Sequence, residues 1–357
     1  MMTRLLKFDK NDFELSLWEY ASTNQVIFNR LCHIIKDRMK LKNSMIRFAT
    51  FHSKLVHSNV KLDGMLLKYI PEVFCTYQNI IQLDLSNNDL RDLPYTIGNL
   101  EKLQVLDISR NQLISLPPSF QFLNKLLQLN LSQNKLYQIP ASISKLQSLL
   151  VLDISKNSLV AIHDDHLPYS LEKLMIWGND IQECEYQPNL NLLELDASFI
   201  TIPVSPLLVN LKNIERLILT CCQLHEVPSC IYQLASLTFL DLSFNSIFRL
   251  SSSISNLGNL QTLIISFNKL QYLPNELTLL QHLKELQLCH NQLEQLPCNF
   301  HLLTSMNRLF LHGNGLKSID QMVLDLDCLT RISLSGNPLL YTPKLMPHVN
   351  HDLKHLI

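Results

Sequence analysis

The feature that most restricts this chain is the return of the same residues at a fixed interval. Leu103, Leu106, Ile108, Asn111 and Leu113 are followed 23 residues later by Leu126, Leu129, Leu131, Asn134 and Leu136. The pattern LxxLxLxxNxL starts at Ile80, Leu103, Leu126, Leu149, Leu171, Leu190, Ile214, Leu237, Leu260, Leu283, Met306 and Leu329. That makes twelve units, spaced by 23 residues except for 22, 19 and 24 in the middle. A degenerate unit precedes them from His57, with Met65 where asparagine is expected. Periods of this size mark a stack of identical small units, none able to bury its apolar face alone.

Leu106 and Ile108 alternate with Val105, Asp107 and Ser109, which is strand periodicity with one apolar face. Stacked strands of this kind form a parallel sheet with about 4.8 Å between neighbours. The second half of a unit carries Leu-Pro or Ile-Pro, as at Leu93-Pro94, Leu116-Pro117 and Ile139-Pro140, then apolar residues such as Ile97 and Leu100. This half is bulkier, so the stack is expected to curve with the sheet inside. The asparagines stand where the backbone turns away from the strand, and their two donors and one acceptor suit the main-chain groups left there. That column is broken at Ser198 and Cys222, beside the irregular spacings, which predicts a kink or flattened segment.

These motifs resemble the leucine-rich-repeat superfamily, in its 23-residue intracellular type with an LPxxI element, over residues 57–340. The resemblance implies an α/β solenoid, a curved horseshoe with a parallel sheet on its concave face, on which a protein partner docks. The cysteine-rich caps of extracellular members are absent. Bare repeats with few glycines and many Asn, Lys and Ile also resemble eukaryotic-like repeat effectors that intracellular bacteria deliver into host cells. In that case the host cytosol is the expected location.

Residues 1–56 hold ten Lys/Arg against five Asp/Glu, and Phe28, Leu31, Ile35 and Met39 recur near helical spacing. The expectation is a helical N-terminal cap; a basic surface for a membrane or a second partner stays open beside it. Val349, Leu353 and Leu356 follow Pro347 at helical spacing, so residues 341–357 are read as a C-terminal capping helix. No apolar run reaches the roughly 18 residues that span a bilayer, and no signal peptide is read at the start.

A net charge of −1 gives no general pull on nucleic acid or anionic lipid. Seven glycines disfavour phosphate-binding loops, and nine scattered cysteines lack a disulfide framework and suit a reducing compartment. None of the cysteines has Asp two residues later, as a nucleophilic Cys-x-Asp element would require. Cys289-His290 and Cys221-Cys222 sit at strand ends, where neighbours point to opposite faces and form no dyad. His163-Asp164-Asp165-His166 offers metal-ligand types but falls in a polar loop, and His348, His351 and His355 read as the polar side of the terminal helix. The chain is therefore expected to be a monomeric, non-catalytic binding module without cofactor or metal. A recognition or regulatory subunit of a ubiquitin-ligase or phosphatase complex is the alternative, and a membrane-associated adaptor is a further one.

Strand alternation selects the outward residues. In the first four repeats they are mostly polar, among them Gln82, Asp84, Asp107, Arg110, Asn130 and Lys156, and read as a solvated consensus surface. From the fifth repeat they become Lys173, Met175, Trp177, Leu192, Glu194, Arg216, Ile218, Phe239 and Phe244. Ile264, Phe267, Glu285, Gln287, His290, Arg308, Phe310, His312 and Arg331 continue the series. Exposed aromatics and arginines in one patch are the material of interface hot spots, and these eighteen residues are the candidate protein-binding face.

Overall fold

The computed structural model describes residues 58–70, 72–163, 166–185, 191–200, 208, 211–340 and 350–351. The expected N-terminal cap, Asp164 and Asp165 lie outside them. The chain divides into two compact units, Met1–Leu159 with Asp165–Leu171, and Val160–Asp164 with Glu172–Ile357.

In the first unit each repeat contributes one three-residue strand: β1 (Asn59–Lys61), β2 (Gln82–Asp84), β3 (Val105–Asp107), β4 (Gln128–Asn130) and β5 (Val151–Asp153). They pair in parallel with leucine opposite leucine, Leu83 facing Leu106, Leu106 facing Leu129 and Leu129 facing Leu152. The return path is short 3-10 turns, as at Tyr95–Asn99 and Pro118–Phe122. Pro94 and Pro117 preset the backbone entering them, with φ of −59 and −66. Leu85, Leu90, Ile97, Leu100 and Leu103 are wholly buried between sheet and turns. Burying each contributes about 2 kcal/mol, so the leucine period is itself the driving force.

The asparagines form a continuous ladder beneath this core. Asn111 Nδ2 donates to the carbonyls of Leu85 (3.0 Å) and Ile108 (3.1 Å), while its Oδ1 accepts from Leu90 N–H (3.0 Å). Asn134 then donates to Ile108 again (3.0 Å) and to Leu131 (3.0 Å). Each such carbonyl receives two amides, one from its own repeat and one from the next.

The second unit continues the scheme with β7 (Lys173–Met175), β9 (Glu194–Asp196), β10 (Arg216–Ile218), β11 (Phe239–Asp241), β12 (Thr262–Ile264), β13 (Glu285–Gln287), β14 (Arg308–Phe310) and β15 (Arg331–Ser333). The variable halves of two consecutive repeats depart from the turn pattern. There β6 (Ala161–His163) and β8 (Glu183–Glu185) form a separate parallel pair. A single helical turn, α1 (Gln321–Leu324), starts at Asp320, whose carboxylate accepts Met322 N–H at 2.9 Å.

Two expectations are corrected here. The sixth repeat does not start at Leu190. Leu195 faces Leu174 on one side and Leu217 on the other, so the unit starts at Leu192. Leu192 is therefore a core residue with no exposed surface, not an outward one. The column position is Ile200, not Ser198, and Ile200 is buried too. A slip of two residues preserves the in-and-out alternation of a strand, so alternation cannot detect it. Cys222 fills its own break: its thiol donates to the Ala197 carbonyl at 3.3 Å, standing in for the missing amide. Second, Asn350–His351 inside the expected terminal helix is a strand, β16, parallel to β15. It pairs main-chain groups that β15 would otherwise present as an open edge. The rest of 341–357 lies outside the described residues.

Candidate functional site

Three outward rows cross the sheet of the second unit. The first runs through Lys173, Glu194, Arg216 and Phe239, which stand opposite one another on β7, β9, β10 and β11. Glu194 is held by Lys173 Nζ at 3.0 Å and by Arg216 Nε at 3.1 Å. The Arg216 guanidinium lies over the Phe239 ring, its Cζ 3.4 Å from the centroid. Further along the row Arg308 Nη2 meets Glu285 at 2.6 Å, and Gln287 Nε2 donates to the same carboxylate at 2.7 Å. Glu285 is consequently buried, though its backbone position faces outward. The partly exposed pairs of Glu194 stabilise by at most about 1 kcal/mol; their consequence is to fix side-chain geometry.

The second row alternates Met175, Ile218 and Ile264, all half-buried, with Asp196 and Asp241. Each aspartate braces the serine two residues on, as Asp241 Oδ1 accepts both N–H (2.9 Å) and Oγ–H (2.6 Å) of Ser243. Beyond Ile264 the aspartates stop, and Gln287 and Phe310 take the row. Arg331 is exposed, with its Cζ 5.3 Å from the Phe310 centroid.

The third row is the most unusual. In every described repeat the residue before the asparagine column has positive φ, from Gly64 and Asn87 to Gly336. Glycine and asparagine tolerate this region, whereas a bulky side chain there costs roughly 1 kcal/mol or more. Yet Phe199, Phe244, Phe267 and His290 occupy it, with φ of 63, 56, 56 and 53. Phe244 and Phe267 stack at 4.3 Å with planes 7° apart, and Phe267 stacks on His290 at 4.4 Å. His312 closes the series edge-on at 5.2 Å. Gly313 makes room for this end, since a Cβ there would lie 2.6 Å from His290 Nδ1. Despite their stacking, Phe244 and Phe267 remain 52% and 43% exposed.

The structure thus gathers every predicted residue except Leu192 on one face. Trp177 is half-buried and sits 6.2 Å from Phe199, a 51% exposed ring that the mis-set sixth repeat concealed. The positive-φ position, read in correct register, is the signal that finds it. A second pairing also escaped the sequence. Cys289 does not face its neighbour His290; its Sγ lies 3.1 Å from His312 Nδ1 in the next repeat, and that nitrogen is 3.1 Å from Ser333 Oγ. Burial pushes the Cys289 thiol above its ordinary value, with Ser266 pulling the other way, so the neutral thiol is favoured over a nucleophilic thiolate. Burial likewise raises Cys221, with Asp241 adding to it. Among the described residues no three His, Cys, Asp or Glu converge as metal ligands, and no helix is long and apolar enough to cross a membrane.

Two family models match the chain, a leucine-rich repeat region over residues 81–175 and a leucine-rich repeat over 236–257. A leucine-rich-repeat protein of Leptospira interrogans is 30% identical, with a TM-score of 0.73, over 82% of this chain and 83% of that one. The leucine-rich repeat domain of APL1B is 26% identical, with a TM-score of 0.63, over 84% and 87%. TLR13, solved in complex with ssRNA13, is 26% identical, with a TM-score of 0.59, over 76% of this chain and 46% of that one.

Proposed function

Because the chain belongs to the leucine-rich-repeat family, whose repeats serve as protein-interaction modules, we propose that it is a non-catalytic scaffold that holds a protein partner on the open face of its second unit. The observation that carries this reading is the ladder Phe244–Phe267–His290, exposed to solvent and built on a backbone that disfavours such side chains. Large apolar rings left in water on a regular frame mark an interaction site. Arg216 over Phe239 and the Arg308–Glu285–Gln287 cluster supply fixed polar groups around it, as an interface rim does. A reducing, intracellular setting is part of the same proposal and rests on the scattered cysteines of the sequence.

The test compares the full chain with Phe244→Ala/Phe267→Ala by capture from lysate followed by mass spectrometry. Each ring behaving as a hot spot contributes about 2 kcal/mol, so a specific partner should fall by well over tenfold. Undiminished capture by a folded double variant sinks the proposal.

A further inference from the structure

Taking that ladder as the docking surface, we infer that the segment it holds is an acidic polypeptide, its carboxylates set against the ring edges and the arginines of β14 and β15. Both faces of the central ring are already used. Phe267 is stacked on both sides, at 4.3 Å by Phe244 and at 4.4 Å by His290, so no flat guest can enter the ladder. What remains open on Phe267 is ring edge, the positive end of the aromatic quadrupole, which attracts acceptor oxygens and repels cations.

The charges agree. Across the outward rows of β12 to β15 the described carboxylate is Glu285, and Arg308 and Gln287 already engage it. Arg331 is exposed and has no ion pair among the described residues; its Cζ lies 5.3 Å from the Phe310 centroid. This stretch carries two guanidiniums against one carboxylate, with the imidazole N–H groups of His290 and His312 beside them. A basic guest would set like charges against Arg308 and Arg331, whereas an acidic one finds donors along the whole stretch. The opposite pattern marks the outward row of the first unit, where Asp84, Asp107 and Asp153 repeat.

A random dodecapeptide display library, selected on the full chain and counter-selected on Phe267→Ala, reads the guest's chemistry directly. The expected survivors are rich in Asp and Glu. Synthetic copies should bind by fluorescence anisotropy about fivefold more weakly to Arg331→Gln, and more weakly still when their carboxylates are replaced by amides. Neutral or basic survivors, or acidic ones indifferent to both changes, overturn the acidic guest while leaving the docking face in place. Failure to enrich any peptide sensitive to Phe267→Ala overturns the docking face, and this inference with it. A labelled twenty-nucleotide oligothymidine bound by the chain and lost in Phe267→Ala would make the surface a nucleic-acid groove and overturn both.

Discussion

Replacing Asn268 and Asn291 together should cost more than the sum of replacing each alone. Asn268 Nδ2 donates to the carbonyls of Leu242 (3.0 Å) and Ile265 (3.1 Å), and its Oδ1 accepts from Ile247 N–H (2.9 Å). In Asn268→Ala the two carbonyls keep a partner, because Asn245 also donates to Leu242 and Asn291 also donates to Ile265. Only the Ile247 N–H is orphaned, at about 1–3 kcal/mol for a buried donor. By the same count Asn291→Ala orphans only the Leu270 N–H. The double variant orphans both amides and, in addition, the Ile265 carbonyl, which has lost both donors. The coupling energy should therefore be destabilising by roughly 1–3 kcal/mol. Asn268→Ala with Asn314→Ala is the control. Asn314 donates to the Leu288 and Leu311 carbonyls, which Asn291 and Asn337 still serve. That pair shares no acceptor and should be additive within a few tenths of a kcal/mol. Urea unfolding of the three single and two double variants and their parent, fitted with nearest-neighbour terms, measures both cycles. Equal coupling in the adjacent and the spaced pair would refute the shared-carbonyl argument.

Gly313→Ala should destabilise more than Gly336→Ala. Both have positive φ, +69 and +66, but only the first drives a Cβ against the His290 ring, and the excess should vanish in a His290→Ala background, as urea midpoints will show. Burial pushes the Cys75 and Cys222 thiols up to about 11, so their neutral forms stabilise the fold fully below the free-thiol value near 8.5–9. That contribution, up to about 3 kcal/mol for each thiol, is lost as pH rises toward 11. Unfolding midpoints from pH 8 to 10.5 should fall steeply, and less so in Cys222→Ser, where the hydroxyl stays protonated. Under native conditions Ellman's reagent should modify exposed Cys298 and Cys328 first, with Cys75, Cys222 and Cys289 released only on unfolding.

The leucine period made the sheet legible because each leucine is also a burial event. Leu83, Leu106, Leu129 and Leu152 stand opposite one another as their spacing requires. The asparagine column was legible for a similar reason, since few side chains offer both donors and an acceptor to a turning backbone. The sixth repeat was not, because Leu190, Leu192, Leu193 and Leu195 offer several registers, and what separates them is the pairing with β7 and β10. The Cys289–His312 contact was hidden for a different reason. It joins equivalent places in consecutive repeats, and sequence reading that pairs adjacent residues looks past a partner 23 positions away.

Backbone sterics finally separate scaffold from site. The place before the column must turn left-handed in every described repeat, and the first unit fills it with Gly64, Asn87, Arg110, Gln133 and Lys156, small or flexible polar residues. Phenylalanine is a poor choice there on local grounds, costing roughly 1 kcal/mol per ring, and stacking returns a comparable amount for each pair. The ladder is therefore about neutral for folding, while leaving half of each of two phenyl rings in water. Folding alone is served there by glycine, as at Gly178, Gly313 and Gly336, or by a flexible polar residue, as at Arg110 and Gln133. What remains to account for the rings is the surface they present. That is why the binding reading rests on Phe244 and Phe267 rather than on the leucines that hold them up.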